Sequence, residues 1–271
     1  LVGVLPVWSL LTAPLDTPLS ELMDTDVISV NVDTDQEEVA RIISQYDFFA
    51  IPVIDHQQQF VGIITYDDVI DILVEEFSED MQRLGGSEPL EHTYFSTPIP
   101  KMVRKRIGWL LLLFATATLT GTVMRVFDDT LAQVIALSFF IPLLIGTGGN
   151  AGSQMTAMMI RALAVGEVHF QDIWRVFSRE IVTGLILGTI LGLAGLLRAV
   201  TWDTSFQLAL TVALSICALV IWANFIGMVL PLIAQRLRLD PTVISGPLVI
   251  TLVDTTGLLI YFSLAQLILN L

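Results

Sequence analysis

Four glycines fall within seven residues in Gly146-Thr-Gly148-Gly149-Asn150-Ala-Gly152, and Ser153-Gln154 follow, all inside a long apolar run. Each glycine weakens a helix by about 1 kcal/mol relative to alanine. Such a run allows close helix packing, or it breaks the helix and turns backbone carbonyls toward a water-filled path. One or two glycines are explained by packing, whereas four beside an Asn and a Gln point to the lining of a path. Asn150 and Gln154 are four apart and share a face where the helix resumes. A second apolar run, Thr242 to Gly257, carries one acid, Asp254. It stands about twelve residues past the start of its run, near mid-membrane at about 1.5 Å per residue. A carboxylate at that depth costs roughly 2.5–3.5 kcal/mol. No basic residue occupies the middle of any apolar run, so Asp254 is expected to hold a cation. Amide and carboxylate oxygens without His or Cys favour Mg²⁺, Ca²⁺ or Mn²⁺ over Zn²⁺ or copper. Mg²⁺ keeps its waters and is usually held by one or two carboxylates. That suits one Asp per chain doubled by a symmetry mate, though the chemistry leaves the three cations open.

A second set of acids lies earlier. Asp68, Asp71, Glu75 and Glu79, spaced 3, 4 and 4, form one helical stripe with Glu76 and Asp80 alongside, and only Arg83 offsets them. Like charges four apart repel by a few tenths of a kcal/mol per pair. With Asp33, Asp35, Glu37, Glu38 and Asp47 nearby, this stripe reads as a surface for divalent cations. Enzymatic chemistry finds no support, because His56, His92 and His169 are scattered and no nucleophile constellation occurs. The single cysteine, Cys217, excludes a disulfide within the chain.

The elements that must position these groups follow from composition. Of 271 residues, 54% are hydrophobic and 15% charged, and the mean hydropathy is +0.75, too apolar for an ordinary soluble domain. Residues 1–100 carry 19 acids against 2 bases and residues 101–271 carry 8 against 11, net −17 and +3. An acidic, water-facing part therefore precedes a membrane part. This rules out a single soluble enzyme fold, a nucleic-acid binder and a secreted disulfide scaffold. Apolar windows predict five spans at about 107–127, 131–163, 176–199, 205–235 and 242–270, with Pro142, Pro231 and Pro247 as kink points. Lys101, Arg104, Lys105, Arg106, Arg161, Arg175, Arg179, Arg236 and Arg238 fall on the side of the acidic part, against Arg125 and Arg198 on the other. By the positive-inside rule the N-terminal part is cytoplasmic and Leu271 ends outside, in a plasma membrane, or the inner membrane of a Gram-negative source. Asp128, Asp129 and Asp203 then lie in outer loops, and Glu180 has Arg175 and Arg179 as helix-end partners. The opening at Leu1 without Met suggests that something upstream is missing.

Within the acidic part, strand-like and helix-like runs alternate over residues 24–75. Ala50-Ile-Pro-Val-Ile-Asp55 followed by Phe60-Val-Gly-Ile-Ile-Thr65-Tyr-Asp-Asp68 resembles a CBS motif, and Leu1–Met23 resembles the tail of a preceding copy. Gly62-x-x-Thr65-x-x-Asp68 matches the stretch that holds the ribose and phosphate of an adenine nucleotide in many CBS domains. The resemblance thus makes Thr65 and Asp68 candidate ligands for a nucleotide such as ATP. The expected fold is a multi-domain membrane protein, an α+β CBS-type domain with an incomplete pair followed by an all-α bundle of five spans. Its parts are a CBS domain over 1–66 (first-copy tail 1–23, second copy from 24), an acidic connecting helix and linker over 67–100, and a transmembrane domain over 101–271.

The order of CBS pair, acidic helix and five spans resembles the MgtE family of magnesium transporters and channels. Gly148-Gly-Asn150-Ala-Gly-Ser-Gln154 in the second span and Asp240-Pro241, Ser245-Gly-Pro247 and Asp254 around the last carry that likeness. The resemblance implies a homodimer in the lipid membrane with the pore between its two bundles, Asp254 at the pore's Mg²⁺ site, and Asn150 and the Gly149 backbone on the ion path. It also implies that Asp35, Glu37, Asp47, Asp68, Asp71, Glu76, Glu79, Asp80 and Asp240 bind regulatory Mg²⁺. Bound ions would then compact the cytoplasmic part and shut the pore. The family's acidic N domain precedes its CBS pair, so without it the pore is expected to conduct but to sense Mg²⁺ weakly. The rival readings are transport of Co²⁺, Mn²⁺ or Ca²⁺, and a non-conducting, membrane-tethered nucleotide sensor.

Overall fold

The computed structural model describes residues 1–271, which divide into two compact units, Leu1–Ser78 and Glu79–Leu271.

The first unit opens with two short helices, α1 (Val7–Thr12) and α2 (Leu19–Leu22), tied by one antiparallel bridge between Val4 and Asp24. Neither helix buries a residue. A three-stranded sheet follows, ordered β1 (Val30–Asn31), β2 (Ala50–Ile54), β3 (Phe60–Thr65). β1 runs parallel to β2 with Val30 opposite Val53, so a crossover is required, and α3 (Gln36–Tyr46) supplies it. Asp35 caps that helix by accepting from the Glu37 amide at 2.9 Å. At its other end Asp47 takes the left-handed conformation, φ 53°. β2 and β3 form a hairpin, with Ala50 opposite Thr65. Its turn is fixed by the Asp55 carboxylate, which accepts from the Gln57 and Gln59 amides at 2.8 Å each. Val30, Val39, Ala40, Ile43, Ile51 and Val69 make the core.

Val69 belongs to α4 (Tyr66–Leu84), whose last turn lies in the second unit. Its acids alternate with an apolar stripe as the spacing suggests, but Leu73, Phe77 and Met81 of that stripe are exposed. Gly86 ends the helix: its φ of +73° suits glycine, its amide bonds the Arg83 carbonyl at 2.8 Å, and the Ser87 amide bonds the Gln82 carbonyl at 3.0 Å. A Cβ on Gly86 would also lie 2.5 Å from Nε1 of Trp109.

Five long helices build the second unit: α5 (Ile99–Val126), α7 (Ala136–Ala164), α8 (Ile173–Val200), α9 (Phe206–Arg236) and α10 (Gly246–Leu269), with the short α6 (Asp128–Gln133) after α5. Four of them, α5, α8 with its leading 3₁₀ turn, α9 and α10, are long and apolar enough to cross a membrane. α7 is as long, at 29 residues, but Asn150, Ser153, Gln154 and its glycines dilute its apolar character. α9 sits at the centre, packed on α7, α8 and α10, while α5 packs against α10. Two cross-bundle bonds pin the end remote from α4: Tyr261 donates to the Leu137 carbonyl at 3.0 Å and Gln266 donates to Thr130 at 3.0 Å. α8 meets α9 through Gly184, Gly188, Gly192 and Gly195. A Cβ at Gly188 would come within 2.9 Å of the Cys217 carbonyl oxygen, and one at Gly192 within 2.7 Å of that of Ala213.

Pro142 and Pro231 lie inside α7 and α9, where each removes a backbone donor. Pro247 does not kink α10. It stands in the first turn, behind the Ser245 cap, where its missing N–H costs no helical bond.

Candidate functional site

The start of α10 is built from consecutive caps. Asp240 Oδ1 accepts from the Thr242 amide at 2.8 Å and opens the 3₁₀ turn Pro241–Val243; Ser245 then caps α10 itself, accepting from the Leu248 amide at 3.4 Å. Because the helix begins at Gly246 and not at Thr242, Asp254 is its ninth residue, about 12 Å along the axis at 1.5 Å per residue. It therefore lies a third of the way along a 24-residue helix.

Oδ1 of Asp254 is shut off from solvent and has no hydrogen-bond partner. The hydroxyls around it are committed elsewhere. Thr255 bonds Thr120 of α5 at 2.8 Å, Thr256 accepts from Nε1 of Trp222 at 2.8 Å, and Thr251 donates to the Pro247 carbonyl at 2.9 Å. A buried polar oxygen without a donor costs about 1–3 kcal/mol, more when charged.

The glycine run faces this acid without breaking its helix: α7 is continuous from Ala136 to Ala164. The reason is close packing. A Cβ on Gly148 would stand 2.8 Å from the Leu219 side chain, and one on Gly152 would stand 3.1 Å from that of Val249. From α9, a Cβ on Gly227 would stand 2.6 Å from the Gly152 carbonyl oxygen. Gly149 is buried against Ile250, and its Cβ position lies 3.6 Å from Asp254 Oδ1. Gly146, Asn150 and Gln154, at four-residue spacing, are exposed together on one face of α7.

The acids of α4 and the CBS-type unit are spread out. Asp68 accepts from the Thr65 hydroxyl at 2.8 Å, Glu76 from Gln36 at 2.7 Å, and Asp35 is committed to its cap; Asp71 and Glu75 are exposed. No three His, Cys, Asp or Glu side chains gather into a group able to hold a metal ion within one chain. At the end of α4 a cation is already supplied, since Arg83 pairs with both Glu79 and Asp240. Burial alone would push the Asp240 carboxyl up; the Thr242 and Arg83 hydrogen bonds outweigh it and hold it below its ordinary value. Beside this pair, Nε1 of Trp109 donates to the Ser245 hydroxyl at 3.2 Å, the same ring that Gly86 approaches. Glu180 forms no ion pair, although Arg179 is near enough for the two charges to interact; it accepts from the Asn224 amide at 3.4 Å.

The family model described as a divalent cation transporter, MgtE, matches residues 141–264. The CBS domain model matches residues 19–75. The chain is 41% identical over 270 residues to a magnesium transporter MgtE of Thermus thermophilus, covering 100% of this chain and 60% of that protein. To a magnesium transporter MgtE of Bacillus subtilis it is 37% identical over 265 residues, covering 98% and 58%. The crystal structure of the cytosolic domain of the Mg²⁺ channel MgtE in complex with ATP is 47% identical over 27% of this chain and 29% of that one, with a TM-score of 0.26. The chain spans about three fifths of the length of the curated relatives it matches.

A CBS domain is followed by a polytopic bundle that carries the divalent cation transporter domain. With both domains in order and relatives matching along essentially the whole chain, the protein belongs to the MgtE family.

Proposed function

We propose that this chain carries Mg²⁺ across the membrane through a pore formed between two copies, with Asp254, Asn150 and the Gly149 backbone on the ion path. The observation that carries the reading is the Asp254 carboxylate, which has a buried oxygen and no donor inside the chain. Two copies would bring two such carboxylates to one axis, a fit for a divalent ion that keeps several waters. The outward polar face of α7 supports the same arrangement, because Asn150 and Gln154 facing hydrocarbon would each leave amide groups unpaired. The exposed Leu73, Phe77 and Met81 of α4 give a second copy an apolar surface to cover.

Gating follows from the acids. Asp35, Glu37, Asp47, Asp68, Asp71, Glu76, Glu79, Asp80 and Asp240 form the regulatory surface, completed between copies because one chain gathers no three of them. Mg²⁺ that binds the compact state better shifts the population toward it and closes the pore; when Mg²⁺ falls, carboxylate repulsion opens it. The CBS-type unit then faces the cytoplasm and Leu271 the outside, a reading supported by the distribution of Lys and Arg. An adenine nucleotide at the CBS turn is a separate proposal, supported by Thr65 and Asp68 standing together where β3 meets α4.

The deciding experiment is Mg²⁺ uptake into liposomes holding wild type or Asp254→Ala. Loss of flux in the variant is expected, and retained flux overturns the reading. Parallel arms with Mn²⁺, Co²⁺ and Ca²⁺ identify the ion.

A further inference from the structure

α8 contributes no residue to the proposed ion path. Its glycine face, Gly184, Gly188 and Gly192, is spent on α9. On the opposite face, Arg175, Arg179, Val182, Ile186, Ile190 and Leu193 succeed one another at spacings of 4, 3, 4, 4 and 3, a single stripe along the helix, and all six are exposed. Trp174, 76% exposed, stands beside the arginine end, where an indole anchors a helix at the membrane surface.

Neither guanidinium forms an ion pair or donates a hydrogen bond within the chain, although carboxylates are near. Asp172 accepts from the His169 amide at 3.0 Å, and Glu180, whose charge Arg179 feels, accepts from Asn224 at 3.4 Å. At the same end of the bundle Arg161 pairs with Glu167 at 3.7 Å and Arg236 lies 4.5 Å over the Phe170 ring, whereas Arg104, Arg106 and Arg238 are also without an ion pair; what sets Arg175 and Arg179 apart is their place one turn apart at the head of an exposed apolar stripe. Two unpaired cations one turn apart, at the head of an apolar stripe in a membrane-spanning helix, match a phosphate that carries acyl chains.

We propose that this face of α8 seats an anionic phospholipid, its headgroup phosphate between Arg175 and Arg179 and an acyl chain along Val182, Ile186, Ile190 and Leu193. A zwitterionic lipid fits less well because its own ammonium neutralises the phosphate. A second copy fits less well because a two-fold pairing through this face would set arginines against arginines. The site is independent of the ion path.

The test uses the full-length protein in detergent, with bound phosphatidylglycerol and phosphatidylcholine counted by native mass spectrometry. Each juxtamembrane cation contributes roughly a fivefold gain in anionic-lipid binding, so Arg175→Gln/Arg179→Gln should weaken phosphatidylglycerol binding by about 30-fold. Phosphatidylcholine binding should be unchanged, and Arg161→Gln should stay within about twofold of wild type. Equal loss in Arg161→Gln would reduce the effect to general surface charge and overturn the site. So would undiminished phosphatidylglycerol binding in the double variant, displacement of the lipid by millimolar inorganic phosphate, or a shift of the double variant from dimer to monomer. Should the double variant not fold, each single variant carries the same test at about fivefold.

Discussion

Two aspartates fourteen residues apart, Asp240 and Asp254, flank the first third of α10, and the chain treats them oppositely. Asp240 is met by the Thr242 amide and by Arg83, a cation brought from 157 residues away. Asp254 has an oxygen that nothing in the chain approaches as a donor, although Thr251, Thr255, Thr256 and Trp222 are all close enough to be hydrogen-bonded among themselves or to backbone. A chain able to supply its own cation at the helix start supplies none deeper in. The contrast separates a carboxylate paired within the chain from one that the chain leaves unpaired.

The largest effect is expected at the unpaired carboxylate, where the proposed ion would bind. Asp254→Ala should cut Mg²⁺ flux into liposomes by a hundredfold or more, on the order of 3 kcal/mol of lost ion stabilisation. Asp254→Asn, which keeps the shape and removes the buried charge, should leave the fold at least as stable as wild type while also losing flux. A fall in thermal stability for Asp254→Asn would mean that the carboxylate is a structural group like Asp240.

Next in size are the glycines that let α7, α9 and α10 meet around Asp254. Gly227→Ala would set a Cβ 2.6 Å from the Gly152 carbonyl oxygen, a backbone atom that cannot step aside. Overpacking of this kind costs about 1–3 kcal/mol, so the detergent-solubilised protein should melt several degrees lower. Gly146→Ala, with nothing within 4 Å of its Cβ position, should melt at or above wild type. Equal effects at the two positions would remove close packing as the reason for the run.

The difference between the two aspartates was only half legible in the sequence. Asp254 stands out by composition alone, as the one acid in a long apolar run, and the glycine run stands out in the same way. Their depth and purpose are less accessible. The apolar window cannot show that Thr242 belongs to a separate 3₁₀ turn and that the helix proper starts at Gly246, although Ser245 followed by Pro247 is a readable helix-start signature. Nor can spacing show that Leu219 and Val253 fill the space the glycines leave, because both come from other helices. The acidic stripe of α4 is plain in the sequence, yet its ending on Asp240 is not, since a one-dimensional pattern offers Arg83 six nearer carboxylates. The CBS-type strands were legible because β-branched residues, a turn acid and a capped helix all agree locally; the exposure of Leu73, Phe77 and Met81 on α4 was not, because a periodic apolar stripe reads the same whether or not the chain buries it.

The smallest effect, and the one that tests the Asp240 side of the comparison, is the ion pair itself. Arg83 and Asp240 are each about a third exposed, so solvent screens the pair and its coupling should be about 1 kcal/mol in a double-mutant cycle of Arg83→Ala and Asp240→Asn. Its pH dependence has a fixed sign. The folded chain holds the Asp240 carboxyl below its ordinary value, so the unfolded chain takes up the proton first as pH falls. The contribution is therefore complete above the ordinary aspartate value of about 3.9 and disappears as pH drops through the lower folded value. Melting curves of wild type and Asp240→Asn should run parallel from pH 5 to 8 and converge only at the acid end. Convergence already near neutral pH would show that Asp240 sits above its ordinary value, with burial outweighing Arg83. It would then be, like Asp254, a carboxylate awaiting an external cation.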